Sequence, residues 1–330
     1  MISSAFVLLL IVVGLSYIYA FVTGFTDASN LIATTVSSRA MQPRHALYMA
    51  SFMQLIGALS GTAVALTITN KITTPTQITL GVVAGAVFAT IAWSIITYFF
   101  GLPVSETHSL IGAIIGATIA NGGLWSVQWS TVGISVAAIL TSAVLGFSGA
   151  FLLLKFIYLI FKRFQNRWVK RLFKYLQIGS AAFMSYSHGQ NDAQKPMGMV
   201  ALAVGVYAGV TQNQIALWII VSVALTKSAG MLLGGFKILQ KIGLRMTKLN
   251  YEQGFASQFA AAVCLETANF FGIPVSTSQT GTAALVGAGV AKRRSSVNWG
   301  VFGEILISWI LTLPATILIG FLITSFVGLF

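Results

Sequence analysis

Apolar runs long enough to cross a lipid bilayer recur along the whole of this sequence. They fall near residues 4–38, 45–69, 78–100, 103–120 and 131–161, and again near 175–206, 213–236, 253–271, 274–291 and 300–328. The hydrocarbon core of a bilayer is about 30 Å thick, which takes about 20 helical residues to span. With 56% hydrophobic and only 8% charged residues among 330, the chain has more apolar surface than a soluble fold can bury. Long runs of Leu, Ile, Val, Ala and Gly, rather than short alternating segments, also argue against a transmembrane β-barrel. The expectation is an all-α polytopic membrane protein. The first run has no basic residue ahead of its apolar core and no clear cleavage site, so it reads as a mature helix and not as a signal peptide.

The net charge of +13 is not spread evenly. Cations bunch at "RAMQPR" (39–44), at 155–174, between Lys237 and Lys248, and at "KRR" (292–294), always between apolar runs. Such bunching sets orientation in a membrane and does not point to nucleic acid. Placing all four clusters on the cytoplasmic side of the plasma membrane requires an even number of crossings between neighbours, and the apolar runs satisfy this. Each half then holds five passes, the halves run in opposite senses, and both termini face outward. Cys264 is the only cysteine, which excludes an intrachain disulfide and leaves it as a small packing residue.

Opposite orientation of two halves invites a search for internal repetition. "GLPVSETHSLIGAIIGATIA" (101–120) and "GIPVSTSQTGTAALVGAGVA" (272–291) are identical at 8 of 20 positions. "GFTDA" (24–28) and "GQNDA" (189–193) share Gly-x-x-Asp-Ala, and the two pairs occur in the same order. The expected architecture is an inverted-topology repeat of about 5+5 helical segments. Residues 1–161 form the first repeat, 162–174 a basic cytoplasmic linker and 175–330 the second repeat. The linker mixes Arg, Lys, Phe, Trp and Tyr, as an interfacial segment does. Each half carries one helix expected to break, at 24–30 and at 187–196. Each also carries one pair of segments joined by a link, "GLP" or "GIP", too short for an ordinary loop. Those pairs either span fully or re-enter as hairpins.

The breaks and the tips differ in chemistry. Gly24 and Gly189 permit interrupted helices, whose freed carbonyls need partners that lipid does not supply. Asp27, Asn30, Asn191 and Asp192 add hard oxygen ligands that suit sodium or a proton relay. An ionised aspartate near the bilayer centre costs about 2.5–3.5 kcal/mol on insertion scales, which implies a use. The alternative for each aspartate is helix capping or pairing with a nearby cation, Lys195 being available to Asp192. At the tips, "PVSETHS" and "PVSTSQT" place Pro before Ser at a helix start, so Ser105, Thr107, Ser276, Thr277 and Ser278 present hydroxyls beside free backbone N–H groups. Helix N-termini of this kind attract anions. His108 and Gln279 hold equivalent positions and can orient an oxyanion or bond between helices. Glu106, beside the first tip, is placed to tune that site or bind a proton.

These motifs resemble those of the inorganic phosphate transporter (PiT) family of secondary carriers. Its two signature copies resemble "GFTDASN" and "HGQNDAQKPMG", and its other paired element resembles "PVSETHSLIGAIIG" and "PVSTSQTGTAALVG". "LNYEQGFASQFAA" (249–261) is similar to the approach to the second element. The resemblance covers nearly the whole chain. It implies phosphate uptake by symport with sodium ions or protons, alternating access around a midplane site, no cofactor and no enzymatic activity. It assigns Asp27, Asn30, Asn191 and Asp192 to the coupling cation, with sodium as one candidate there. It assigns Ser105, Thr107, Ser276, Thr277, Ser278 and Gln190 to phosphate. Two departures stand out: Thr26 replaces the family's usual Asn, and Lys195 stands where the first copy has Asn30. Lys195 is able to replace one cation, so the coupling ion stays open.

The remaining polar residues carry less. Glu266 and Glu304 lie in apolar runs with Lys155 or Lys227 as candidate partners. Glu252 reads as a first-turn helix residue near Asn250, His45 as solvated, and His188 as a candidate path-lining residue. A sulfate or arsenate permease would use nearly the same donors, and a divalent-metal carrier would use the aspartates. A membrane enzyme acting on a lipid phosphate would need an acid/His cluster that the spacing does not give. The oligomeric state, monomer or homo-oligomer, is not encoded in any of these patterns.

Overall fold

The computed structural model describes residues 3–71, 78–161, 167–211, 213–234, 246 and 249–328. Its helices are α1 (Ser4–Ser37), α2 (Pro43–Leu59), α3 (Ala63–Lys71), α4 (Leu80–Phe99), α5 (Glu106–Gly122) and α6 (Trp129–Phe161). They continue with α7 (Arg167–Asp192), α8 (Gln194–Ala208), α9 (Leu217–Leu233), α10 (Tyr251–Phe270), α11 (Thr277–Lys292) and α12 (Trp299–Val327). No strand occurs among the described residues. Residues 162–166 of the basic linker, and all of the Lys237–Lys248 cluster except Met246, lie outside them.

Among the described residues, four helices, α1, α4, α6 and α12, are long and apolar enough to cross a membrane. The run at 45–69 is a fifth candidate only as a bent pair, because α2 and α3 meet at 65°. Gln194 holds that bend from across the bundle: its side-chain oxygen accepts from the backbone N–H of Val64 at 2.7 Å and of Ala65 at 3.0 Å, capping α3.

The polarity of the bundle is inverted relative to a soluble protein. Leu10, Ile11, Leu159, Phe100 and Ile310 lie on the outside, while Asp27, Glu106, Asp192, Lys195 and Lys227 are buried. In water that arrangement exposes apolar surface and desolvates charge; in lipid it sets apolar surface against hydrocarbon and keeps charge away from it. The exterior therefore defines a protein solvated by hydrocarbon.

The expected interruption at 24–30 is absent: α1 runs unbroken from Ser4 to Ser37. Two features of its sequence explain this. Thr23 and Thr26 turn their hydroxyls back onto the carbonyls of Ala20 and Thr23, at 3.1 and 3.3 Å, so these polar side chains are satisfied within the helix. Gly24 serves close approach instead of a kink, because a Cβ there would strike the backbone carbonyl of Lys227 on α9. Gly189 does the same against the backbone of Gln54 on α2. A break does occur in the second half, at Ala193 between α7 and α8.

The short links fold as tight turns. Gly101 and Gly272 take φ of 63° and 64°, a left-handed conformation that favours glycine. The N–H of Leu102 bonds the carbonyl of Thr97 at 3.0 Å, and that of Ile273 bonds Ala268 at 2.9 Å, closing α4 and α10 identically. Each turn sends a shorter helix back into the bundle. There α5 packs on α12 and α11 packs on α6.

Candidate functional site

The glycine crossings place two aspartates face to face. With Gly24 against α9, and Gly230 against Phe21 of α1, the Lys227 ammonium reaches the Thr23 hydroxyl at 3.0 Å and Asp27 Oδ2 at 3.3 Å. Asn30, one turn on, donates to Asp27 Oδ1 at 3.4 Å. On α7, His188 Nε2 lies 3.0 Å from Asp192 Oδ2 and 3.6 Å from Asp27 Oδ2, so one imidazole stands between the two carboxylates. Lys195 completes the row through a salt bridge to Asp192 Oδ1. His188, Asp192 and Lys195 follow an i, i+4, i+7 spacing, which keeps them on one face even across the short break at Ala193.

The two tips meet beside this row. Ser105 and Ser276 cap α5 and α11, accepting from the N–H of His108 at 3.1 Å and of Gln279 at 3.2 Å. Thr107 donates to the Val275 carbonyl at 2.6 Å, and the Gln279 amide lies 3.0 Å from His108 Nδ1. Thr277 donates its hydroxyl to Asp192 Oδ2 at 2.6 Å, joining the second tip to the aspartates. Next to it, Ser278 is 2% exposed and its hydroxyl has no hydrogen-bond partner among the described residues. Ser278 lines a cavity of about 20 Å³ with Asn30, Thr34, His188 and Thr277. Glu106 is buried on the far side, where the Ser94 hydroxyl donates to its two oxygens at 3.3 and 3.4 Å. It shares a second small cavity with Thr26, Asp27 and Asn30.

Not every expected residue joins this constellation. The Asn191 amide donates to Asn269 Oδ1 at 2.7 Å, and Gln190, oriented with its nitrogen toward Glu266, donates to that carboxylate at 3.0 Å. Both are thus engaged with the end of α10 and not with the aspartates. Residues adjacent on a helix point about 100° apart, so Asn191 and Asp192 cannot face the same place.

Lys227 corrects a pairing. It joins Asp27, 200 residues away in sequence, rather than Glu266 or Glu304, because α9 packs on α1. Lys155 lies 5.8 Å from the centre of the Phe151 ring. Sequence reasoning did not place Lys227 at the aspartates, although a lysine inside an apolar run is itself a signal of function. It also passed over Tyr19 and Gln54, both fully buried.

Asp27, His188 and Asp192 offer ligand atoms within 4.8 Å of one another, a grouping able to hold a cation. In this arrangement the ammonium groups of Lys195 and Lys227 already lie against the carboxylates. The chemistry on offer is that of ion recognition: buried carboxylates with cationic partners, beside two helix N-termini carrying hydroxyls.

An apolar-coated helical bundle that buries Asp27, Glu106, Asp192, Lys195 and Lys227 in its interior is a membrane protein with the makings of an ion site. The particular kind follows from comparison with known proteins: the profile of the phosphate transporter family matches residues 23–320, and the chain belongs to that family. A relative from Rhizobium meliloti (strain 1021), named "Probable low-affinity inorganic phosphate transporter", is 37% identical over 318 residues, covering 96% of this chain and 95% of that one. A relative of the same name from Bacillus subtilis (strain 168) is 35% identical over 317 residues, 95% of each chain. Among solved structures, one titled "The sodium-dependent phosphate transporter" superposes with a TM-score of 0.88 at 25% identity, over 98% of this chain and 99% of the other.

Proposed function

We propose that this protein takes up inorganic phosphate by symport with sodium ions or protons, alternating access around the Asp27–His188–Asp192 row. The observation that carries the reading is the single imidazole between two aspartates drawn from opposite halves of the chain. Thr107, Thr277 and Ser278, at the tips of α5 and α11, bind the phosphate, with Ser105 and Ser276 shaping those tips. Asp27, Asn30 and Asp192 carry the coupling charge. Gln190 and Asn191 hold the α10 end in register.

Electrostatics gives coupling its reason. A phosphate anion beside two carboxylates in a site closed to water is repelled by several kcal/mol, unless positive charge accompanies it. Only the balanced, loaded carrier then rearranges readily.

The rearranging scaffold is an inverted repeat of 1–161 and 175–330, joined by 162–174, in the plasma membrane with both termini outside. Reciprocal packing supports it. The pair α1 on α9 is matched by α7 on α2, α5 on α12 by α11 on α6, and α4 on α1 by α10 on α7.

The test is uptake of labelled phosphate into proteoliposomes, with sodium and the pH gradient varied independently and sulfate offered as competitor. The expected result is uptake that needs a cation gradient and is not suppressed by sulfate, together with Asp27→Asn and Asp192→Asn variants that fold but do not accumulate phosphate. Full-rate uptake with neither gradient, or in either variant, refutes the scheme.

A further inference from the structure

The two glycine crossings are equivalent residue by residue, and the equivalence exposes a swap of charge. At the first, Gly24 faces the backbone of Lys227 while Gly230 faces that of Phe21; at the second, Gly189 faces Gln54 while Gly57 faces Tyr186. Phe21 and Tyr186 each precede their glycine by three residues, as do Lys227 and Gln54. Lys227 and Gln54 therefore hold the same place on the two crossings. Asp27 and Asp192 each follow a glycine by three residues, and Asn30 and Lys195 each follow an aspartate by three.

Each crossing thus carries one ammonium residue and one amide residue at equivalent positions, Asn30 and Lys227 at the first and Lys195 and Gln54 at the second, in opposite order. Asp27 takes an amide from its own helix, Asn30 at 3.4 Å, and an ammonium from the crossing helix, Lys227 at 3.3 Å. Asp192 takes its ammonium from its own side, Lys195, and has Gln54 in the place that Lys227 fills for Asp27. Gln54 is wholly buried, with neither amide atom hydrogen-bonded among the described residues. Lys195 and Lys227 are each 1% exposed. A buried ammonium is a compact point charge with three donors, so it does for a carboxylate what a bound metal ion does, but it cannot leave. A sodium ion at the same carboxylate meets a like charge where little water screens it.

We propose that Lys195 and Lys227 are resident counter-cations that occupy the positions at which sodium ions would otherwise balance Asp192 and Asp27, so that neither aspartate takes up sodium during transport. The inference rests on the reading of this region as the transport site, and it names which coupling ion the site refuses.

The experiment uses the purified full-length protein, as wild type and as Lys195→Asn and Lys227→Gln variants, with sodium chloride exchanged for choline chloride at fixed pH. Thermal unfolding in detergent and labelled-phosphate uptake in proteoliposomes are both read. Wild type is expected to show the same melting temperature and the same uptake in either salt. Each variant is expected to melt higher in sodium than in choline. Its uptake should fall about tenfold or more in choline and recover in sodium. A sodium-specific rise in the wild-type melting temperature, sodium stimulation of wild-type uptake, or folded variants indifferent to sodium overturns the proposal. Should the variants not fold, the wild-type melting comparison decides. Should wild type move no phosphate in either salt, the transport reading fails while the melting data still judge the lysines.

Discussion

The pairing of Asp27 with Lys227 sets a stability test whose magnitude follows from burial. Both side chains are almost fully buried and their charged atoms lie 3.3 Å apart. Lys227→Met removes the ammonium and leaves Asp27, among the described residues, with the Asn30 amide at 3.4 Å and the His188 ring at 3.6 Å. Asp27→Asn leaves Lys227 with the Thr23 hydroxyl at 3.0 Å. Stripping one partner from a buried pair costs about 3–5 kcal/mol, whereas removing both together costs little, because no uncompensated charge remains. Each single variant should therefore lose about 3–5 kcal/mol, and the double variant should recover most of the summed loss of about 6–10 kcal/mol. Unfolding entropy of about 2.1 cal/mol/K per residue over 330 residues gives roughly 0.7 kcal/mol/K, so each single variant should melt about 4–7 °C lower. The assay is a double-mutant cycle by thermal and denaturant unfolding in detergent, in choline buffer so that no sodium fills the gap. A coupling energy below about 0.5 kcal/mol would mean that the two residues act independently, and the buried ion pair would have to be abandoned.

Two further outcomes follow from the packing and from the tips. Gly24→Ala and Gly189→Ala each place a methyl against backbone and should cost about 1–3 kcal/mol or more, while Gly179→Ala, with nothing within 4 Å of the added carbon, should be neutral or stabilising, all read by melting temperature. Ser278→Ala should raise the KM for phosphate uptake about tenfold with little change in melting temperature, since its hydroxyl has no partner among the described residues to lose; an unchanged KM would remove Ser278 from the proposed phosphate site.

The sequence disclosed the solvent of this protein more readily than its bends. Run length and composition suffice for a helical membrane bundle, because lipid imposes the same demand on every segment. The aspartates were legible for the same reason: a charge in an apolar run has to be used or compensated. Asn250 was legible as a helix start, and it caps α10 in a capping box with Gln253. The path of α1 was not legible, since Gly-Phe-Thr-Asp reads as a break unless the helix pressing on Gly24 is known. The bend at Gly61 was hidden likewise, being held by Gln194 from more than a hundred residues away. Where Gln190 and Asn191 point was not legible without helix phase: His188 and Asp192 share a face, and the residues between them do not.

If Thr277 and Ser278 bind phosphate as proposed, their hydroxyls impose an order on the steps by which it is held. Thr277 has one proton to donate and gives it to Asp192, 2.6 Å away. While that bond stands, the Thr277 hydroxyl offers an incoming anion only lone pairs, which repel it. Ser278, one residue on, is buried with its hydroxyl uncommitted, and it lines the same small cavity as Asn30 and His188. In the proposed site, a phosphate oxygen would find its first hydroxyl donor in Ser278. It wins the Thr277 proton only if Asp192 gives up that hydrogen bond, and Asp192 can do so without becoming an unpaired buried charge because His188 and Lys195 remain beside it. The hydroxyl of Thr277 is thus a two-position contact shared between carboxylate and substrate, and Lys195 is what makes its transfer inexpensive. On the proposed reading, anion binding and the state of Asp192 are tied together through one proton donor, which would be the physical content of coupling.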